Sequence, residues 1–94
     1  MRVRTRPIND NKAYVAVLGP FDFSLHQEFR AAIDSLAQAE ICQIDLRETS
    51  SLDSSALGML SVAKRQFKRL EITDPKPEIR DTLIMAGFSE STGN

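Results

Sequence analysis

The stretch Thr49-Ser50-Ser51-Leu52-Asp53-Ser54-Ser55 sets hydroxyls around a single carboxylate. Directly after it, Ala56, Met59, Leu60, Ala63 and Phe67 recur at helical spacing, so the cluster falls at a helix N-terminus. Two chemistries suit that position. An Asp or Ser oxygen can accept the unpaired amide hydrogens of the first turn, a purely structural capping role. A phosphorylated serine would meet the same amides and the positive end of the helix dipole. It would also add a charge of about −1.5 to −2 beside Asp53, enough to repel an acidic partner surface without unfolding the domain. Capping is the commoner use of such residues, and composition alone leaves both open.

Other reactive types offer less. His26 is the single histidine, placed in the first turn of an expected helix with no serine nucleophile or ligand cluster beside it, so it reads as a surface residue. Cys42 is the single cysteine and lies in the apolar run Ile41 to Leu46, which suits a buried small hydrophobe. It excludes an internal disulfide framework and a cysteine-rich metal site. No glycine-rich nucleotide loop, metal-ligand cluster or nucleophile–base set is visible, so the expectation is a non-enzyme without cofactor or metal. With 12 basic and 13 acidic side chains the formal net charge is −1, which gives little long-range attraction for nucleic acid or an anionic membrane. The arginines at 2, 4 and 6 and the cluster Lys64, Arg65, Lys68 and Arg69 read as solvated faces, though the cluster could dock an acidic partner. No apolar segment follows the basic N-terminus and no run approaches about 20 apolar residues, so neither signal peptide nor membrane span is expected. The reading is cytoplasmic.

The elements that must carry these residues follow from periodicity. Residues 2–6 alternate as an edge strand before Pro7, Asn9-Asp10-Asn11 is a turn, and Ala13 to Leu18 completes a hairpin that Gly19-Pro20 ends. Ser24 with Gln27 fits a capping box, and Leu25, Phe29, Ala32, Ile33 and Leu36 form the apolar face of a first helix. Ile41 to Leu46 is a strand with Ile41, Ile44 and Leu46 toward the core. Arg47 to Ser51 is a polar turn, and the second helix runs to about Lys68. Leu70 to Ile72 is a short strand. Pro77 opens a third helix with Glu78 in its first turn, Ile79, Leu83 and Ala86 as its stripe and Gly87 as its C-cap. The polar tail 89–94 is expected to fray. Ninety-four residues support one domain, 1–94, and strands alternating with helices argue for an α/β fold with a parallel or mixed sheet.

Leu52-Asp53-Ser54-Ser55-Ala56-Leu57-Gly58 resembles the signature of STAS-domain anti-sigma factor antagonists, usually Asp-Ser-Ser/Thr-Gly-Leu-Gly. Gly19-Pro20-Phe21-Asp22 is similar to that family's Gly-x-x-Asp segment. Asp74-Pro75-Lys76-Pro77-Glu78-Ile79-Arg80 is similar to its Pro-x-Pro/Ala-x-Val-Arg segment, and Met85-Ala86-Gly87-Phe88 to its closing Ser/Thr-Gly-Leu. The resemblance covers nearly the whole chain. It implies a STAS-like mixed sheet of about four strands with about three α-helices packed on it. It implies Ser54 as phosphoacceptor, with Asp53 and Asp22 shaping the site and the kinase contact. Ser55, Ala56, Leu57, Gly58, Phe21 and Phe23 would form the partner-binding surface, with one of the two phenylalanines expected in the core. The implied cycle is partner switching: the unphosphorylated chain binds an anti-sigma factor or serine kinase-type regulator and releases that regulator's target. Phosphorylation ends binding, and a serine phosphatase restores it. Ala56 departs from the family's glycine, the link before Leu70 is short, and the chain ends soon after Gly87; the surface this leaves exposed would favour a homodimer. Two other readings stand beside this one: a constitutive STAS subunit of a lipid-transport ATPase complex, and a small-molecule sensor holding an anion or nucleotide at the same helix start.

Overall fold

The computed structural model describes residues 2–88. In chain order the elements are β1 (Val3–Pro7), β2 (Lys12–Val17), β3 (Gly19–Phe21), a 3₁₀ turn (Phe23–Leu25), α1 (His26–Ser35), β4 (Ile41–Asp45), β5 (Thr49–Leu52), α2 (Ser54–Gln66), β6 (Arg69–Thr73) and α3 (Pro77–Met85). The first two strands form the expected hairpin, in register from Val3 opposite Val17 to Pro7 opposite Ala13. β4 pairs parallel with β2 and β6 pairs parallel with β4, so the main sheet has the order β1-β2-β4-β6. It is the mixed four-stranded sheet with three helices that was expected.

Both parallel connections step across the sheet in the same direction, and right-handed crossovers then place α1 and α2 on one face. Side-chain alternation agrees: Val15, Val17, Cys42, Ile44 and Ile72 are buried and share one cluster with Phe29 and Ile33 of α1, Leu60 and Ala63 of α2, and Leu83 of α3. Fully burying each such large apolar side chain contributes about 1.5–3 kcal/mol. The opposite face carries half-buried Tyr14, Ala16, Gln43 and Asp45.

Several expectations are corrected. Gly19-Pro20, read as a strand end, and Arg47 to Ser51, read as a polar turn, instead contribute to a second, two-stranded parallel sheet in which residues 19–21 pair with 49–52. The Gly19 amide donates to the Glu48 carbonyl at 2.9 Å, and the buried Thr49 hydroxyl donates to the Val17 carbonyl at 2.7 Å. Strands this short, built from glycine, proline and serine, show no alternation, so only the tertiary bonds reveal them. Gly19 turns the chain from β2 into β3 at φ 77, a left-handed conformation that suits glycine. The expected Ser24–Gln27 capping box does not form; Asp22 caps the 3₁₀ turn that precedes α1. Ile41 is only half-buried. α2 ends at Gln66, two residues short of the expected Lys68, as Phe67 turns extended and buries its ring.

Ala86, placed in the apolar stripe of α3, is exposed, and Phe88 takes the buried position instead. The reason is the helix end. Gly87 at φ 92 reverses the chain, the Phe88 amide donates to the Leu83 carbonyl at 2.8 Å and the Gly87 amide to Ile84 at 3.0 Å, a Schellman arrangement. The expected fraying at 89–94 lies outside the described residues.

Candidate functional site

β3 and β5 determine the geometry of the site. Their register sets Phe21 beside Leu52, so the next residue of each strand, Asp22 and Asp53, sits at a neighbouring strand end. The Asp53 amide donates across to the Phe21 carbonyl at 3.3 Å. Each aspartate is extended and each caps the helical turn that follows it. Two helical N-termini are thereby laid side by side at one end of the molecule.

At the second of them, Asp53 Oδ1 accepts the Ala56 amide at 3.0 Å, and the Asp53 carbonyl accepts the Leu57 amide at 3.2 Å. Ser54 is the first residue of α2 and is exposed. Among the described residues its hydroxyl has no hydrogen-bond partner. The expected phosphoacceptor position is thus open to solvent, beside a carboxylate and at the positive end of a helix of 13 residues.

The first N-terminus is tied down more tightly. Asp22 Oδ1 accepts both the amide of Ser24, at 3.0 Å, and its hydroxyl. Arg2 Nη2 donates to the Pro20 carbonyl at 2.9 Å and to Ser24 Oγ at 3.2 Å, and lies 3.7 Å from Asp22. The Ser24 hydroxyl, with its amide and Arg2 in support, holds the Asp22 carboxyl below the usual aspartate range. Arg2 and Ser24 were not among the expected site residues. No local signal marks them, because Arg2 arrives from the start of the chain through the hairpin register.

The expected docking residues separate by burial. Phe21 and Ala56 are 0% exposed, so neither offers contact surface; Phe21 packs on Phe29 with ring centroids 5.2 Å apart. This corrects Ala56 as a docking residue, and makes Phe21 the phenylalanine expected in the core. Phe23 is 69% exposed and stacks on His26 at 5.6 Å, because β3 ends at Phe21 and the 3₁₀ turn capped by Asp22 breaks the alternation that would have set residues 21 and 23 on one face. Ser55 and Leu57 are half-buried, and Gly58 is exposed with nothing within 4 Å of where a Cβ would stand. Between α1 and α2 runs a groove of about 260 Å³ lined by Phe23, His26, Phe29, Ser55, Gly58 and Met59. Ser55 joins this apolar groove to the polar cluster at Ser54.

Elsewhere, Cys42 is buried and desolvation pushes its thiol up to about 12, so it stays protonated and unreactive at neutral pH. The basic cluster is largely engaged: Lys68 pairs with Glu40 at 3.3 Å, Arg69 with Glu71 at 2.9 Å, and Lys64 lies over the Phe88 ring at 5.5 Å. Among the described residues no helix is long and apolar enough to cross a membrane.

Comparison with known proteins bears on the family and the fold. Residues 5–91 match the family model described as Mlab, STAS domain. A STAS-domain containing protein of Pseudomonas aeruginosa (strain UCBPP-PA14) is 35% identical over 81 residues, covering 81% of this chain and 80% of that protein. The anti-sigma factor antagonist SpoIIAA in its unphosphorylated form is a similar solved structure, with TM-score 0.81 at 17% identity over 90% of this chain and 80% of that one. The Bacillus cell fate determinant SpoIIAA in its phosphorylated form gives TM-score 0.75 at 17% identity over 90% of this chain and 83% of that one. At such identities the likeness concerns the fold.

Proposed function

This chain belongs to the STAS-domain family, and from that premise we propose that it is a partner-switching regulator controlled by phosphorylation of Ser54. One observation carries the reading: the Ser54 hydroxyl stands exposed at the open N-terminus of α2, beside the caps Asp53 and Asp22 and next to an apolar groove. In the transfer step the γ-phosphoryl group of ATP passes to Ser54 Oγ, the serine proton is released and ADP leaves. The chain is the kinase's substrate and not itself an enzyme. Asp53 and Asp22 hold the helix starts and meet the kinase. Phe23, Ser55, Leu57 and Gly58 supply the docking surface for an anti-sigma factor or serine kinase-type regulator in the cytoplasm. The phosphoryl group adds about −1.5 to −2 charges where the partner seats, and docking fails by repulsion and desolvation. A serine phosphatase restores the binding form.

The test is a pull-down with the parent, Ser54→Ala and Ser54→Asp, combined with intact mass after incubation with kinase and ATP. The parent gains one phosphate, Ser54→Ala gains none, and Ser54→Asp binds the regulator at least about 10-fold more weakly. Phosphate on Ser54→Ala at the parental level would overturn the assignment.

A second reading, a constitutive subunit of a lipid-transport ATPase complex, is favoured by the match to the Mlab, STAS domain family model and by a groove equally suited to permanent packing. Co-purification with an ATPase, with binding indifferent to Ser54→Asp, distinguishes it.

A further inference from the structure

The sheet face turned away from the helices is an ordered array of charge. Strand register sets Arg6, Tyr14, Gln43 and Glu71 in one row across the sheet, and Arg4, Ala16, Asp45 and Thr73 in the next. Most of this charge is engaged within the chain. Glu71 takes Lys12 at 2.8 Å and Arg69 at 2.9 Å, the Tyr14 hydroxyl donates to Asp45 at 2.5 Å, and Arg6 lies 4.8 Å from the Tyr14 ring centre. Arg4 and Glu48 are different. Both are exposed, and among the described residues neither side chain has a partner. They line one hollow of about 370 Å³, together with Arg6, Tyr14, Ala16 and Asp45. Its cations come from β1, and its carboxylates from the end of β4 and the loop beyond.

Within this hollow the unpaired cation, Arg4, stands on the β1 side and the unpaired carboxylate, Glu48, on the side beyond β4, and such an offset pair complements itself under a two-fold rotation. An axis lying in the plane of the face and running along β2 places β1 of each protomer over the acidic side of its neighbour. We propose that a second copy of this chain docks on this face, with Arg4 meeting Glu48 of the partner subunit and the reverse contact formed at the same time. A polyanion fits less well, because it would meet Asp45 and Glu48 as well as the arginines. Edge-to-edge pairing through β1 is weakened: the Val3 amide already donates to Glu28 Oε2 at 2.9 Å, and Pro7 has no N–H to offer. Four strands about 4.8 Å apart and five residues long at about 3.3 Å each give a face of roughly 250 Å² before side chains are added. That is well below the about 800 Å² per partner of a standard interface, so the dimer is weak, concentration-dependent and sensitive to salt. The proposal goes beyond the switch reading and is tested without kinase or regulator, so either can fail alone.

The experiment is sedimentation of the full chain across micromolar to millimolar concentrations at low and high salt. The parent associates, more weakly at high salt. Arg4→Glu and Glu48→Arg each raise the dissociation constant at least about 10-fold, since like charges then face each other twice. An equimolar mixture of the two variants recovers to within about threefold of the parent, because position 4 and position 48 are again opposite in sign at both contacts. Thermal melts show that both exposed variants fold. A parent that stays monomeric throughout, single variants that associate like the parent, or a mixture that does not recover would each overturn the proposal.

Discussion

The starts of α1 and α2 are built alike and leave different things free. Both follow a strand of the small parallel sheet, both are opened by an extended aspartate, and both carry a serine close behind. At the first, the Ser24 hydroxyl is donated to Asp22 and contacted by Arg2, a 3₁₀ turn intervenes, and Glu28 adds an acid to the first turn of α1. At the second, Ser54 is exposed, and the first turn of α2 contains no acidic residue. An aspartate cap therefore makes a helix start without leaving the serine behind it free. What separates the two is whether the hydroxyl is already engaged and whether a new anion meets a carboxylate in the first turn. Modifying Ser24 would require breaking two bonds, whereas Ser54 loses none.

The sharpest way to break the comparison is phosphate incorporation. With kinase and ATP, Ser54→Ala should lose all of it and Ser24→Ala none, as read by intact mass; the opposite pattern would reverse the assignment. Regulator binding comes next: Ser24→Asp should stay within about threefold of the parent by titration calorimetry, against the at least about 10-fold loss for Ser54→Asp. Stability changes are smaller. Asp53→Ala removes the cap of a long helix and should cost about 1 kcal/mol, lowering the melting temperature by about 4–8 °C. Asp22→Ala, which caps one short turn, should lower it less. The smallest effect is in acid. Because the Asp22 carboxyl is held below its usual range, its contribution is complete above the ordinary aspartate value of about 3.9 and fades as pH falls through the lowered one. The melting-temperature gap between the parent and Asp22→Ala should therefore narrow below about pH 4. A gap that widened on acidification would show that Asp22 acts otherwise than as an ionised cap.

The four main strands and three helices were legible because each buries one face, and burial leaves a period of two or of about 3.6 in the residues: Val15 and Val17 in β2, Phe29 and Ile33 in α1, Ala56, Leu60 and Ala63 in α2. Ser54 at a helix start was legible for the same reason, since Asp53 stands just ahead of an apolar helical stripe. The neighbouring site residues were harder to read. The Ser24–Gln27 pattern satisfies a local capping rule, yet β3 sets the chain so that Asp22 is the residue at the turn.

Sequence alone thus determined the sheet, the helices and the position of one serine, because local periodicity records which side of an element is dry. Only the tertiary structure decided that residues 19–21 pair with 49–52, that Phe21 is sealed while Phe23 is exposed, and that Arg2 reaches Ser24. Those outcomes depend on bonds between segments far apart in the chain, and short polar strands carry no periodic trace of the partner they will meet.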